Sequence, residues 1–98
     1  MTGTAESDGS PYVFALEQNY PNPFNPSTQI PFSVQGSGLV SLKVYDVLGR
    51  EVRTLVNQNL QPGRYEVTFD AAELAGGVYL YRLQAGGLIQ TRRLLLLR

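Results

Sequence analysis

The sequence predicts an all-β domain in which two antiparallel sheets pack face to face. Short segments rich in β-branched, aromatic and aliphatic residues recur roughly every 8–12 residues, with turn residues between them. Apolar and polar residues alternate in Leu39–Asp46 and Arg64–Asp70, as they do in strands with one buried face. Tyr79 follows a glycine-ended turn, two residues before a core position at Tyr81, where immunoglobulin-type sandwiches carry their tyrosine corner. We therefore predict an immunoglobulin-like antiparallel β-sandwich of about seven strands that ends in a C-terminal β-hairpin.

The chain divides into a short polar linker and one folded domain. Residues 1–11 are small and polar and predict a flexible linker, so the domain occupies residues 12–98. The domain is expected to open with a short apolar strand, Tyr12–Leu16. Glu17–Ser27 then carries three prolines, which disfavour both a helix and a regular ladder because they lack the backbone N–H. We predict a rigid, irregular segment anchored by Phe24.

The middle of the chain predicts four further strands: Thr28–Val34, Leu39–Asp46, Glu51–Asn57 and Arg64–Asp70. Pro31 cannot donate to a ladder, so the first of these strands is expected at a sheet edge or a bulge. Gly49 is expected to take a positive φ, and Pro62-Gly63 to close the next loop. Ala71–Ala75 is helix-prone over about one turn, with Asp70 as its N-cap.

The last residues, Gly76–Arg98, predict two strands joined by a tight turn at Gly86-Gly87, because such turns need positive φ without strain. Two registers fit this hairpin. A two-residue loop turns Leu94 and Leu96 toward the core. A three-residue loop instead turns inward the residues of the other phase, Ile89, Leu95 and Leu97. A slip of one residue reverses every side chain, and leucines occupy both phases, so both registers stay open.

The composition argues against catalysis and metal binding. The sequence contains no cysteine and no histidine, so disulfides, thiolate and imidazole ligands and the usual general base are all missing. We expect no cofactor, no metal, no small-molecule substrate and no enzymatic activity. The net charge is zero, which argues against nucleic acid as a partner.

The C-terminus is the unusual feature of the sequence. Four consecutive leucines, Leu94–Leu97, lie between Arg93 and Arg98, whereas most chain ends are polar. After Glu73 the charged residues are all arginines: Arg82, Arg92, Arg93 and Arg98. An apolar end must pack into the fold or be presented to a partner, and we expect both. A basic strand with free backbone groups can pair with the edge of a partner protein.

Five segments carry a resemblance to a known family. They are NYPNPFNPST (Asn19–Thr28), VYDVLGREVRTL (Val44–Leu55), LQPGRYEVTFD (Leu60–Asp70), LAGGVYLYRLQAGG (Leu74–Gly87) and TRRLLLLR (Thr91–Arg98). In this order, they make the chain similar to the type A C-terminal sorting domain of the bacterial type IX secretion system, the Por secretion family. The segment YDVLGREV (Tyr45–Val52) is also similar to an immunoglobulin-like module of flagellar hook-capping proteins.

The resemblance implies a role in protein export. Such a domain lies at the C-terminal end of a larger cargo protein, which enters the periplasm by the general export route. There the folded domain is recognised by the outer-membrane translocon. A surface sortase then removes it from many cargoes, which remain at the cell surface or are released outside the cell.

The resemblance also implies which residues matter. Recognition falls on the basic and aliphatic ending: Arg92, Arg93, Leu94, Leu95, Leu96, Leu97 and Arg98. The hairpin and the preceding turn are shaped by Pro62, Gly63, Tyr65, Gly77, Tyr79, Gly86 and Gly87. The family carries one basic residue before its aliphatic run, and Arg92 and Arg93 both fit that position.

Two other functions also fit the sequence. The domain could be a structural immunoglobulin-like spacer or assembly module, in which case the terminal arginines are dispensable. It could also be a carbohydrate-binding module, because it carries six tyrosines. Three of these fall on alternating core positions, which disfavours a sugar platform: Tyr65, Tyr79 and Tyr81.

Overall fold

The computed structural model describes residues 11–98, in which seven strands and no helix are present. The strands are β1 (Ala15–Leu16), β2 (Ser27–Val34), β3 (Gly38–Tyr45), β4 (Glu51–Leu60), β5 (Gly63–Asp70), β6 (Gly77–Ala85) and β7 (Leu88–Leu96). The first strand is shorter than the predicted Tyr12–Leu16. The predicted linker, residues 1–11, lies outside the described residues except for Pro11.

Two antiparallel sheets form the predicted sandwich. One sheet has the strand order β1-β2-β5 and the other β4-β3-β6-β7. The fold class is therefore confirmed, and the terminal hairpin forms one edge of the larger sheet. Both sheets contribute buried apolar side chains to the core, among them Ile30, Phe32, Val40, Leu42, Val44, Phe69, Tyr81 and Leu83. The alternation in β3 is thus reproduced as one buried row.

The proline in β2 does not lie where the sequence predicts. β2 is the central strand of its sheet, and no bulge interrupts its register with β5, so the expected edge or bulge position is wrong. Pro31 is tolerated because β1 ends at Leu16, which pairs with Phe32, one residue before the position opposite Pro31. Glu17 still donates its N–H to the Pro31 carbonyl at 3.0 Å. The return bond is impossible for proline, and the Glu17 carbonyl instead accepts the Tyr81 hydroxyl at 2.8 Å.

This hydroxyl ties the irregular N-terminal segment to the other sheet. It also accepts the backbone N–H of Asn19 at 2.8 Å. Burial raises the pKa of Tyr81, so the phenol stays protonated and able to donate. The Asn19 side chain is buried and donates to Pro21 O and to Thr28 Oγ1. The segment predicted as rigid is therefore held by a buried polar network, in which each member has a partner.

Two connections differ from expectation. β4 continues to Leu60 rather than stopping at Asn57, because residues 57–60 pair with the start of β3 at Gly38. Ala71–Ala75 forms a turn and no helix, so the predicted helical turn is wrong. Asp70 nevertheless acts as a cap, since its carboxylate accepts the N–H of Ala72 at 3.0 Å.

We expect Tyr81→Phe to lower the free energy of unfolding by about 1–3 kcal/mol, because two backbone groups lose their shared partner inside the fold. Urea denaturation followed by circular dichroism measures this loss. Tyr20→Phe is the control, since Tyr20 is 78% exposed, and it should change stability by less than about 0.5 kcal/mol. Equal stability of the two variants would contradict a bridging role for the Tyr81 hydroxyl.

Candidate docking surface on the C-terminal hairpin

The turn of the terminal hairpin selects one of the two registers. Ala85 pairs directly with Leu88, so the loop consists of Gly86-Gly87 alone, and Gly86 takes a φ of +60°. Leu94 and Leu96 therefore face the core and are each 1% exposed. The leucines and isoleucine of the other phase stay accessible, at 36–55% exposure: Ile89, Leu95 and Leu97.

Arg92 lies on the inner side of β7 and closes the sandwich. Its Nε donates to the carbonyl of Leu16 in β1, and the Leu16 N–H donates to Gln90 Oε1 at 2.7 Å. Leu16 directs both groups away from β2, because the neighbouring Glu17 forms the bond to that strand. Two side chains of β7 thus satisfy the open edge of β1. Arg92 acts here as a structural residue.

Arg98 folds back over the connection between β5 and β6. Its guanidinium donates to the carbonyls of Ala71, at 2.8 Å, and of Ala72 and Leu74. Its alkyl chain packs on Gly76, where an added Cβ would lie 2.9 Å from Arg98 Cγ. The last residue therefore caps the turn that replaces the predicted helix, and it too is structural.

Arg93, unlike Arg92 and Arg98, makes no structural hydrogen bond through its side chain in the described part of the chain. It lies opposite Leu80 on the outer face of the larger sheet and is exposed. Its side chain makes no hydrogen bond or ion pair within residues 11–98. Its guanidinium is therefore available to a partner. Arg92 and Arg93, which the sequence left equivalent, are separated by the side of the strand on which each lies.

Arg93 is the basic centre of an exposed row on the outer side of β7, which we call the outer row: Ile89, Thr91, Arg93, Leu95 and Leu97. The neighbouring Val78 on β6 is 41% exposed and extends the apolar part. β6 and β7 contain no acidic residue. On the same face Arg82 lies over the ring of Tyr45, at 4.8 Å from its centroid. The surface is thus apolar and basic together.

The C-terminal half of this strand's outer edge is covered. Phe24 pairs in parallel with β7, donating its N–H to Leu95 O at 3.0 Å and accepting the N–H of Leu97 at 2.8 Å. Asn22 Oδ1 accepts the N–H of Leu95 at 3.0 Å. The Phe24 ring is 2% exposed, which confirms its predicted anchoring role.

The turn and hairpin residues predicted as motif positions are not members of the outer row. The Tyr79 hydroxyl donates to Ala75 O, which is the predicted tyrosine corner. Gly77 has a φ of +142°, a backbone conformation that is strained for any residue with a Cβ atom. Tyr65 follows Pro62-Gly63, donates to Gln61 O at 2.6 Å, and stacks on a core ring, that of Phe32. These residues shape the scaffold on which the outer row is displayed.

Neither a cluster of metal ligands nor a long apolar helix is present in the described part of the chain. Within residues 11–98 no three potential metal ligands of the His, Cys, Asp or Glu type lie together. Over the same range there is no helix with the length and apolar character needed to cross a membrane.

Fold and surface define a small β-sandwich module whose terminal strand leaves one basic and apolar row uncovered. Comparison with known families is consistent with this, because the family described as "Secretion system C-terminal sorting domain" matches residues 18–97. The chain belongs to this family, whose members are sorting signals of type IX secretion and not enzymes. Membership implies attachment to a cargo protein, a role with the secretion machinery, and export to the cell surface or the extracellular space. A search of curated proteins gave no match.

The two arginines at the ends of the tail should respond differently to the same substitution. We expect Arg98→Gln to lower the free energy of unfolding by about 1 kcal/mol, because the carbonyls of the β5–β6 turn lose a charged donor. Arg93→Gln should change it by less than about 0.5 kcal/mol, since its side chain has no partner in the described fold. Urea denaturation of both variants tests this, and equal losses would contradict the assigned roles.

Proposed function

We propose that this domain is a type A sorting signal that directs an attached cargo protein through the type IX secretion system. Its partners are the outer-membrane translocon and the surface sortase, which meet the folded domain in the periplasm and at the cell surface. Residues 1–11 are the linker to the cargo, and residues 12–98 are the sorting domain. The observation that carries this proposal is the family match over residues 18–97, which includes the exposed outer row of β7.

The tail divides into residues that build the fold and residues that a partner can contact. Leu94 and Leu96 fill the core, and Arg92 caps β1. Arg93 and the exposed leucines of the outer row are left for recognition. An arginine beside apolar side chains supplies selectivity and a fast association rate toward an acidic partner surface, while the apolar groups supply buried area.

The alternative functions have less support. A sugar platform needs exposed aromatic rings in a row, whereas Tyr79 and Tyr81 are buried and Tyr65 stacks on Phe32. A spacer role does not explain an arginine that has no partner within residues 11–98 and lies among exposed leucines. The relation to the hook-capping module rests on the sequence segment YDVLGREV (Tyr45–Val52) alone.

A reporter protein tests the proposal directly. It carries a general export signal at its N-terminus and residues 1–98 at its C-terminus, in a bacterium with a type IX system. We expect the reporter at the cell surface or in the medium. Retention of the folded fusion in the periplasm would contradict the proposed function.

The same reporter tests the role of Arg93. We expect Arg93→Gln to reduce export roughly three- to tenfold, because a charged contact to the partner is lost. The matched control is Arg64→Gln, which removes an arginine of the other sheet that pairs with Glu17 at 2.7 Å. Its export should equal that of the parent domain, and equal export of both variants would assign recognition to other residues.

A further inference from the structure

The hydrogen-bonding groups of β7 face alternately toward β6 and away from it, as in any antiparallel pair. Ala85 and Leu88 flank the two-residue turn, so their backbone groups point toward each other. Counting from Leu88, the residues that bond to β6 are Leu88, Gln90, Arg92, Leu94 and Leu96. The backbone groups of the alternate residues point to the outer edge: Ile89, Thr91, Arg93, Leu95 and Leu97. The observed outward bonds of Arg93 O, Leu95 and Leu97 agree with this phase.

The outer edge is covered only in part. Beyond Arg93 it is occupied by Phe24, and Gln18 Nε2 donates to Arg93 O at 2.8 Å. Five backbone groups of this edge have no partner within the described residues: the N–H groups of Ile89, Thr91 and Arg93, and the carbonyls of Ile89 and Thr91. A regular run of unpaired strand groups is a template for another strand. The open stretch spans five residues, or roughly 17 Å at the usual rise of a strand.

The other edge of the same sheet is less suited to pairing. β4 has two register shifts against β3, between Leu42 and Lys43 and between Val44 and Tyr45. Such irregularities twist an edge and interrupt its row of donors and acceptors. The stretch Ile89–Arg93 lies in a strand whose register with β6 is continuous.

The side chains along the open stretch indicate the chemistry of an added strand. At one end Ile89 is 55% exposed, and at the other the guanidinium of Arg93 has no partner in residues 11–98. Neither β6 nor β7 supplies a carboxylate. A strand paired here would place one side chain beside each of these residues, four positions apart. An apolar residue fits the first position and an acidic residue the second.

We propose that Ile89–Arg93 accepts a short extended segment of a protein partner as a fifth strand of the sheet, with a carboxylate beside Arg93 and an apolar side chain beside Ile89. This inference rests on the proposed function, because the segment belongs to the secretion machinery. Main-chain bonds give the affinity of such pairing, and the two flanking side chains select the partner.

Proline substitution tests the pairing without removing a bond of the fold. Thr91→Pro deletes an outward N–H, and its ring lies where the added strand would approach. Thr91→Val is the matched control, since it keeps the N–H and nearly the same volume. In the export assay we expect export of Thr91→Pro to be at least about tenfold lower than that of Thr91→Val, because only the proline variant loses the outward N–H. Circular dichroism and urea denaturation establish that each purified domain is folded.

Each result distinguishes the inference from the proposed function. If the parent domain is not exported, the proposed function fails and the inference falls with it. If the parent domain and a folded Thr91→Pro variant are exported equally, the edge pairing is overturned while the sorting role stands. Should Thr91→Pro not fold, Ile89→Pro removes the neighbouring outward N–H and answers the same question. Unfolding of both variants would contradict the outward assignment of these groups and overturn the inference.

Discussion

The two-residue turn at Gly86-Gly87 determines which side of β7 meets the core. With Ala85 opposite Leu88, the even-numbered residues of the tail turn inward and the odd-numbered ones outward. The same four leucines then serve two purposes, because Leu94 and Leu96 are buried while Leu95 and Leu97 are exposed. A loop longer by one residue would reverse this division and bury a different set. The candidate docking surface is therefore a consequence of the turn, and the composition of the tail alone does not define it.

Closure of the sandwich depends on the tail as well. Gln90 and Arg92 satisfy the free groups of Leu16, and Arg98 satisfies the turn between β5 and β6. These contacts join the last strand to the first strand and to the middle of the chain. The outer row is consequently displayed only when the whole domain has folded. Under the proposed function, a partner that binds this row would distinguish folded domains from unfolded ones, and loss of the entire tail would remove stability and recognition together.

Alternation and turn residues predicted the sandwich and most strand positions correctly, because both depend on local sequence. What the sequence left open or missed depends on distant contacts. Leucines in both phases hid the register, and the roles of Arg92 and Arg93 follow only once the register is known. The central position of Pro31 relies on a hydroxyl from β6, donated by Tyr81 to the Glu17 carbonyl. No sequence signal indicated the role of Asn22. For Gln90 the only signal was its position in the strand, which places it on the same side as the buried leucines.

Native-state hydrogen exchange of the amides of β7 tests the central claim most directly, because it reports the register and the open edge together. The account predicts slow exchange for the amides that bond to β6, those of Gln90, Arg92 and Leu94. It also predicts slow exchange for the amides bonded to Asn22 and Phe24, those of Leu95 and Leu97. Fast exchange should be confined to the amides of the open stretch, those of Ile89, Thr91 and Arg93. Uniform protection along the strand, or the opposite alternation, would contradict the account.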